Sequence, residues 1–291
     1  MTRDSRVGGI VVPQPALHAP PQPRLSIIVP ARNEARNLEV VLPELPEVHE
    51  VILVDGHSVD DTVATARRLM PSIRVVHQTR RGKGNALACG FAAATGDIVV
   101  MFDADGSADP AEIPRFVRAL VDGADFAKGS RFCDGGGSHD ITRIRRLGNA
   151  FLNGLTNQMF GTSFTDLCYG YNAFWRYVVP VLALPAHHVE AIGSRKVRGD
   201  GFEIETMINC RVATAGLAIA EVPSVERIRV FGESNLHAVK DGLRVLRTLL
   251  EEKRLSRKGI PLTISRAADQ TIDLTLAESL LDASELVQET A

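Results

Sequence analysis

The chain has 291 residues, 45% of them hydrophobic, and a net charge of −2, which allows one large domain or two small ones and gives no reason to expect nucleic acid as a partner. Its four cysteines, Cys89, Cys133, Cys168 and Cys210, are widely spaced with no CxxC pair, which argues against a zinc site or a disulfide framework and for a reducing cytoplasm. No run of about 18 apolar residues occurs and no apolar segment leads to a cleavage site near the N-terminus, so neither a membrane-spanning helix nor a signal peptide is expected.

Residues 1–24 carry Pro13, Pro15, Pro20, Pro21 and Pro23 with little pattern, the composition of a disordered tail. An ordered domain is expected over 25–258, followed by an acidic, helical tail over 259–291. From Leu25 onward strands and helices alternate. The pattern predicts a strand over 25–29, a helix over 33–42 closed by Pro43 and Pro46, a strand over 51–54, and a helix to Met70 capped by Asp60 or Asp61. It continues with a strand over 73–76, a small-residue helix over 85–94, a strand over 98–102 and a helix over 110–120 capped by Asp109. This order predicts an α/β fold with a mostly parallel sheet and helices on both faces.

Ligands on such sheets bind beyond the carboxyl ends of the strands. Polar residues collect there: Pro30, Arg32, Asn33 and Glu34 after the first strand, Asp55 after the second, and Asp103 and Asp105 after the fourth. Asp103 and Asp105 are two apart, so they face the same side of an extended chain and can converge on a hard cation such as Mg²⁺ or Mn²⁺. A turn with a helix cap explains Asp109-Pro110 but leaves these two acids without a role. The basic loop Arg80-Arg81-Gly82-Lys83-Gly84 precedes a helix and suits a phosphate or diphosphate, although it fails the P-loop frame and no GxGxxG follows any strand.

The alternation weakens after Asp125. A strand ends near Lys128-Gly129-Ser130-Arg131, a mobile loop is expected around 135–138, and Arg143, Arg145 and Arg146 open a segment to Phe160 as cations for an anionic acceptor or as a solvated helix face. Tyr169, Tyr171, Phe174 and Trp175 concentrate aromatics, for a pocket or for the core. Glu203 and Glu205 precede a helix to Ala215, and strands are expected over 218–222 and 225–230. The basic amphipathic stretch 236–250 suits either docking on the domain or an anionic membrane surface.

In order and spacing, Val29-Pro30-Ala31-Arg32-Asn33-Glu34, Val54-Asp55-Gly56 through Asp60-Asp61-Thr62, Gly82-Lys83-Gly84, Asp103-Ala104-Asp105, Gly129-Ser130-Arg131 and Arg229 through Gly232-Glu233-Ser234 resemble family 2 glycosyltransferases with the GT-A fold, in the branch of dolichyl- or polyprenyl-phosphate mannose synthases. The resemblance implies that Pro30, Arg32, Glu34 and Asp55 border the nucleotide. It makes Asp103-Ala104-Asp105 the motif that binds a divalent cation, Mg²⁺ or Mn²⁺, on the sugar-nucleotide diphosphate, with Ser107 as another ligand. Lys83, Arg229 and Ser234 would contact the diphosphate, and Arg131 an acceptor phosphate. Gly56, Asn235 and Glu203 depart from the family's usual Asp, Lys and Gln, and His237 is a candidate for a lost polar or metal contact.

The implied activity is inverting transfer of a hexose from a nucleotide sugar, GDP-mannose or UDP-glucose. The acceptor is a polyprenyl-phosphate-type lipid or a soluble small molecule, with the protein cytoplasmic and peripheral at the membrane's inner face in the first case. Asp105, Arg131, Asp166, Glu203 and Arg229 are the catalytic candidates. A phosphate acceptor needs no general base, whereas an alcohol requires one, from Asp166, Asp200, Glu203 or Glu205. A catalytically dead binding protein is disfavoured by the intact acid pair, and a nucleotidyltransferase by the lack of a glycine-rich loop after the first strand.

Overall fold

A computed structural model describes residues 20, 22–188, 197–232 and 238–257; Ser234, His237 and most of both predicted tails lie outside the described residues. The elements run β1 (Leu25–Ala31), α1 (Ala35–Glu44), β2 (Glu50–Asp55), α2 (Thr62–Leu69), β3 (Arg74–His77), α3 (Lys83–Ala93) and β4 (Ile98–Met101). A 3-10 turn (Pro110–Glu112) leads into α4 (Ile113–Val121), followed by β5 (Phe126–Ser130), β6 (Gly137–Ser138), α5 (Arg143–Phe160) and β7 (Asn172–Trp175). A second 3-10 stretch (Arg176–Leu182) precedes α6 (Ile204–Thr214), β8 (Ile219–Pro223), β9 (Val225–Glu226) and α7 (Ala238–Arg257).

Seven strands form one sheet in the order β3-β2-β1-β4-β7-β5-β8. β7 is antiparallel to both neighbours and the other pairings are parallel. Ile27, Ile28 and Val29 of β1, Ile52 to Val54 of β2 and Ile98 to Val100 of β4 have no exposed surface, the continuous apolar pattern of strands covered on both faces. α3 packs on β1, β2 and β3, and α4 on β5, β7 and β8. The chain winds outward from β1 to β3 and then returns to β1's other side as β4. A crevice therefore opens at the carboxyl ends of β1 and β4, and the register that sets Ala31 beside Asp55 brings the end of β2 to it.

Several expectations change. Pro43 does not close α1 but lies in its last turn, where its missing N–H costs one terminal bond. The helix after Asp109 begins as a 3-10 turn and restarts at Ile113 because Pro114 near the new start has no N–H to donate. The strand expected over 225–230 stops at Glu226: the Arg227 N–H donates to Ser107 O (2.8 Å) and the Val230 N–H to Asp105 O (3.2 Å), so this segment lies over the loop after β4. Gly137 and Ser138, expected in a loop, pair with β9. Tyr171, Phe174 and Trp175 belong to the core, where Phe174 stacks on Phe126 and Tyr171 meets Phe102 and Phe116. α7 packs Val245, Leu246 and Leu249 into a second cluster with Leu152 of α5 and Cys210 of α6.

Candidate active site

The crevice holds interlocking ion pairs. Lys83 opens α3, and its Nζ lies 2.7 Å from Asp103 Oδ1 and 2.8 Å from Glu205 Oε1. Burial opposes its charge, and the two carboxylates outweigh that effect and keep the ammonium protonated. Asp105 accepts from the Ser107 N–H (3.0 Å) and hydroxyl (2.7 Å) on Oδ1, while Arg229 Nη2 lies 3.0 Å from Oδ2. Arg229 reaches Asp105 because the 227–230 segment is bonded to the loop after β4. Ala104 between the two acids is buried. Glu34 accepts from Asn37 Nδ2 (2.5 Å). Burial raises its carboxyl above the usual range, the nearby Asp105 and Asp103 charges add to this, and Asn37 and Arg229 oppose it.

Pro30 is partly buried in β1 and Arg32 is exposed just beyond it. Asp55 is buried at the end of β2 and accepts the Ser58 N–H at 3.2 Å, with His77 Nδ1 3.2 Å away. A Cβ on Gly56 would lie 3.0 Å from Arg32 Cβ, so an Asp there would crowd the arginine. The Arg80 to Gly84 loop, expected to meet phosphate directly, first meets its own chain. Arg80 makes a two-pronged buried pair with Asp200 (2.7 and 2.9 Å), and the Gly84 N–H donates to Asp200 O (2.8 Å). Any Cβ at Gly82 or Gly84 would strike Asp200 O or Gly199 O, at 2.0 and 1.7 Å. These glycines admit another segment of the protein, which presses Lys83 into the crevice.

A second centre forms around Arg131. Its Nε and Nη2 lie 2.6 and 3.0 Å from the two oxygens of fully buried Asp166, and its Nη1 3.0 Å from Glu226 Oε2. Asn149 donates to Asp166 (3.1 Å), Ser138 donates to Glu226, and the guanidinium lies 4.8 Å from the Tyr169 ring centroid. Fully buried Lys128 donates to Tyr169 O at 2.8 Å, and burial lowers its pKa. The next residue, Gly170, faces the first centre: a Cβ there would lie 3.0 Å from Lys83 Nζ, 3.3 Å from Glu205 Oε1 and 3.4 Å from Asp103 Oδ2. The two centres thus flank consecutive residues of one segment.

This geometry corrects three of the four expected proton acceptors. Asp166 has both oxygens on Arg131 and no exposed surface, so it positions the arginine. Glu203 turns back to accept the Gly199 and Gly201 N–H groups, both at 3.1 Å. Asp200, the third, is held by Arg80. Of the four acids considered, Glu205 is the one that faces the crevice. Gly170, Glu226, Asn149 and Lys128 escaped sequence reasoning because each owes its place to a partner distant in the chain. Gly170, between two tyrosines in a chain poor in aromatics, carried the one visible signal.

The model of the family described as "Glycosyl transferase family 2" matches residues 26–182, which span β1 to β7 and include Asp103 and Asp105. The chain belongs to glycosyl transferase family 2. This glycosyltransferase is 30% identical to the polyprenol monophosphomannose synthase of Mycolicibacterium smegmatis, over 74% of this chain and 82% of that protein. It is 32% identical to the undecaprenyl-phosphate mannosyltransferase of Micrococcus luteus, over 73% and 87%. The expected resemblance to that branch is met. Among solved structures, it matches glucosyl-3-phosphoglycerate synthase from Mycobacterium tuberculosis, in complex with Mn²⁺ and UDP-glucose, with a TM-score of 0.62 and 25% identity over 80% of this chain and 79% of that one. The fold is that of the GT-A glycosyltransferases. No described helix is long and apolar enough to cross a membrane.

Proposed function

We propose that this glycosyltransferase transfers a hexose, with inversion, from a nucleotide sugar to a polyprenyl-phosphate-type acceptor. The observation that carries the reading is the pair of centres on either side of Tyr169 and Gly170. One is an acid pair held by Lys83 and Arg229, suited to a diphosphate and its cation; the other is a buried arginine suited to a second phosphate. The names of the Mycolicibacterium and Micrococcus relatives support such an acceptor.

In this reading Pro30, Arg32, Glu34 and Asp55 border the nucleotide, and Asp103 and Asp105 hold the divalent cation. The donor set fits: two hard carboxylates two residues apart after β4, each already drawing a positive side chain. Among the described residues no three His, Cys, Asp or Glu side chains form a closed metal cage, so phosphate oxygens would complete the shell. When bound, Mg²⁺ or Mn²⁺ supplies Lewis-acid stabilisation of the departing diphosphate. Arg229 and Lys83 then face the phosphates, where fixed cations favour the charge that develops as the anomeric bond breaks. Ser107 fixes Asp105 through its hydroxyl. Ser234 and His237 keep their proposed roles as a loop contact to diphosphate and a metal ligand. Arg131, oriented by Asp166, takes the acceptor phosphate, and Glu226 gives way to it. A phosphate oxygen is already a nucleophile and no base is required.

A soluble acceptor is the second reading, favoured by one observation: Glu205 stands in the crevice where an alcohol's proton would need an acceptor. Labelled GDP-mannose and UDP-glucose, each offered polyprenyl phosphate and a soluble extract, separate the two. Label in the organic phase is expected; label confined to the aqueous phase would overturn the lipid reading.

A further inference from the structure

We propose that the outward face of α5 docks on an anionic lipid surface. The inference rests on the lipid-phosphate reading for its purpose, but the surface stands by itself. Ile144, Leu147 and Phe151 are 71%, 73% and 67% exposed. Their spacing of three and four residues puts them on one stripe of the helix. Gly148, Ala150 and Gly154 are exposed beside them, and no charged residue occurs from Leu147 to Gly154. A Cβ on Gly148 or Gly154 meets no atom within 4 Å, so among the described residues nothing covers this side. The other side of α5 buries Asn149, Leu152, Asn153 and Thr156. Large apolar side chains gathered on one open face mark a contact with a partner or a membrane.

Charge decides the occupant. Arg143 and Arg146 are exposed at the start of the helix, and its first turn holds no acid. An apolar stripe beside arginines suits the boundary between anionic headgroups and acyl chains. A headgroup layer answers those cations at any rotation, whereas a protein partner would need acids in matching positions. The placement also serves the chemistry. One edge of α5 carries Asn149, bonded to the Asp166 that holds Arg131. Phe132, Arg146, Asn149 and Ala150 line a cavity of about 210 Å³ there, with the Arg146 guanidinium 5.6 Å from the Phe132 ring centroid. α7 is the weaker candidate, because Val245, Leu246 and Leu249 are turned into the protein.

Flotation of the full chain with vesicles tests this, using phosphatidylcholine alone or mixed with phosphatidylglycerol, both free of polyprenyl phosphate. The wild-type chain is expected to float with the mixed vesicles and to be released by high salt. The triple variant Ile144→Ser/Leu147→Ser/Phe151→Ser is expected to lose roughly tenfold or more of its vesicle binding, with its melting temperature and its turnover of a short-chain soluble phosphate acceptor unchanged. Leu147→Glu alone should act in the same direction. Wild-type protein left at the bottom of the gradient, or variants that float as well as wild type, would overturn the proposal. So would a wild-type dimer in sedimentation velocity that the triple variant dissolves, since the stripe would then be a contact between copies. Because the vesicles contain no acceptor, binding is read without turnover. Label in the organic phase without vesicle binding would refute docking alone, and vesicle binding with a soluble acceptor would refute the lipid-acceptor reading alone.

Discussion

Asp103 and Asp105 are held unequally. Asp105 has partners on both oxygens and is nearly buried, whereas Asp103 keeps 35% of its side chain exposed and pairs with Lys83. Asp103→Ala is therefore expected to lose about 100-fold or more in kcat/KM while the melting temperature moves little; full activity in steady-state assays would remove the acid from the donor site. Gly170 is a sharper probe. Its backbone is not in the left-handed region, so Ala is tolerated there, yet the new methyl would sit 3.0 Å from Lys83 Nζ. Gly170→Ala should weaken nucleotide binding in calorimetry with the fold intact, and an unchanged affinity would place the donor elsewhere. Arg131 needs a paired design. Arg131→Ala leaves Asp166 buried without its partner, a loss of about 3–5 kcal/mol. Arg131→Ala/Asp166→Asn removes that burden, and should raise the acceptor KM far more than the donor KM.

At the scale of elements, the contact between the 80–84 loop and the 199–201 loop controls where α3 begins. The Arg80 and Asp200 side chains are 2% and 7% exposed, so Arg80→Met alone should cost about 3–5 kcal/mol in urea unfolding, with much of it recovered in Arg80→Met/Asp200→Asn. The start of β1 has a different anchor. Burial raises the carboxyl of Glu50, but hydrogen bonds from Ser26 and Thr95 and the charge of Arg74 more than offset it, so its pKa lies below the ordinary value. A group with a depressed folded-state pKa stabilises above its unfolded pKa, and that stabilisation fades as pH falls through the folded-state value. Glu50→Gln should therefore flatten the loss of stability on acidification below the ordinary carboxylate range, and an unchanged slope in urea midpoints against pH would argue that Glu50 is unimportant there.

For the whole molecule, Lys83 and Arg229 neutralise the acid pair within the chain itself. The fold thus has no need of a cation, and binding of metal and nucleotide should be coupled. Mn²⁺ alone is expected to leave the melting temperature almost unmoved, as is a metal chelator. Mn²⁺ with a nucleoside diphosphate should raise it, by linkage to the folded state. A large rise with Mn²⁺ alone, in a scanning fluorimeter, would mean that the chain closes a metal shell by itself. The docked α7 and the open stripe of α5 likewise shift attention for membrane contact from the C-terminal helix to the helix beside Arg131.

The alternation of strands and helices, the acids at strand ends and the order of the short motifs were legible in the sequence, because periodicity and turn chemistry are local properties of the chain. The segment expected from Arg143 to Phe160 is the full length of α5, which the Thr142 side chain caps and Gly161 ends in the left-handed conformation. The choice between Glu203 and Glu205 was not readable. Two residues apart, they part company because one finds the Gly199 and Gly201 amides and the other finds Lys83. The strand expected beyond Glu226 failed for the same reason, its N–H groups being taken by a loop more than a hundred residues earlier. Asp166 looked like a free acid until Arg131, 35 residues away, closed on it. The sequence by itself thus determined the fold class and the acid pair at the end of β4. Only the tertiary structure decided which charges face each other, because a buried charge takes its role from the partner that the fold brings to it.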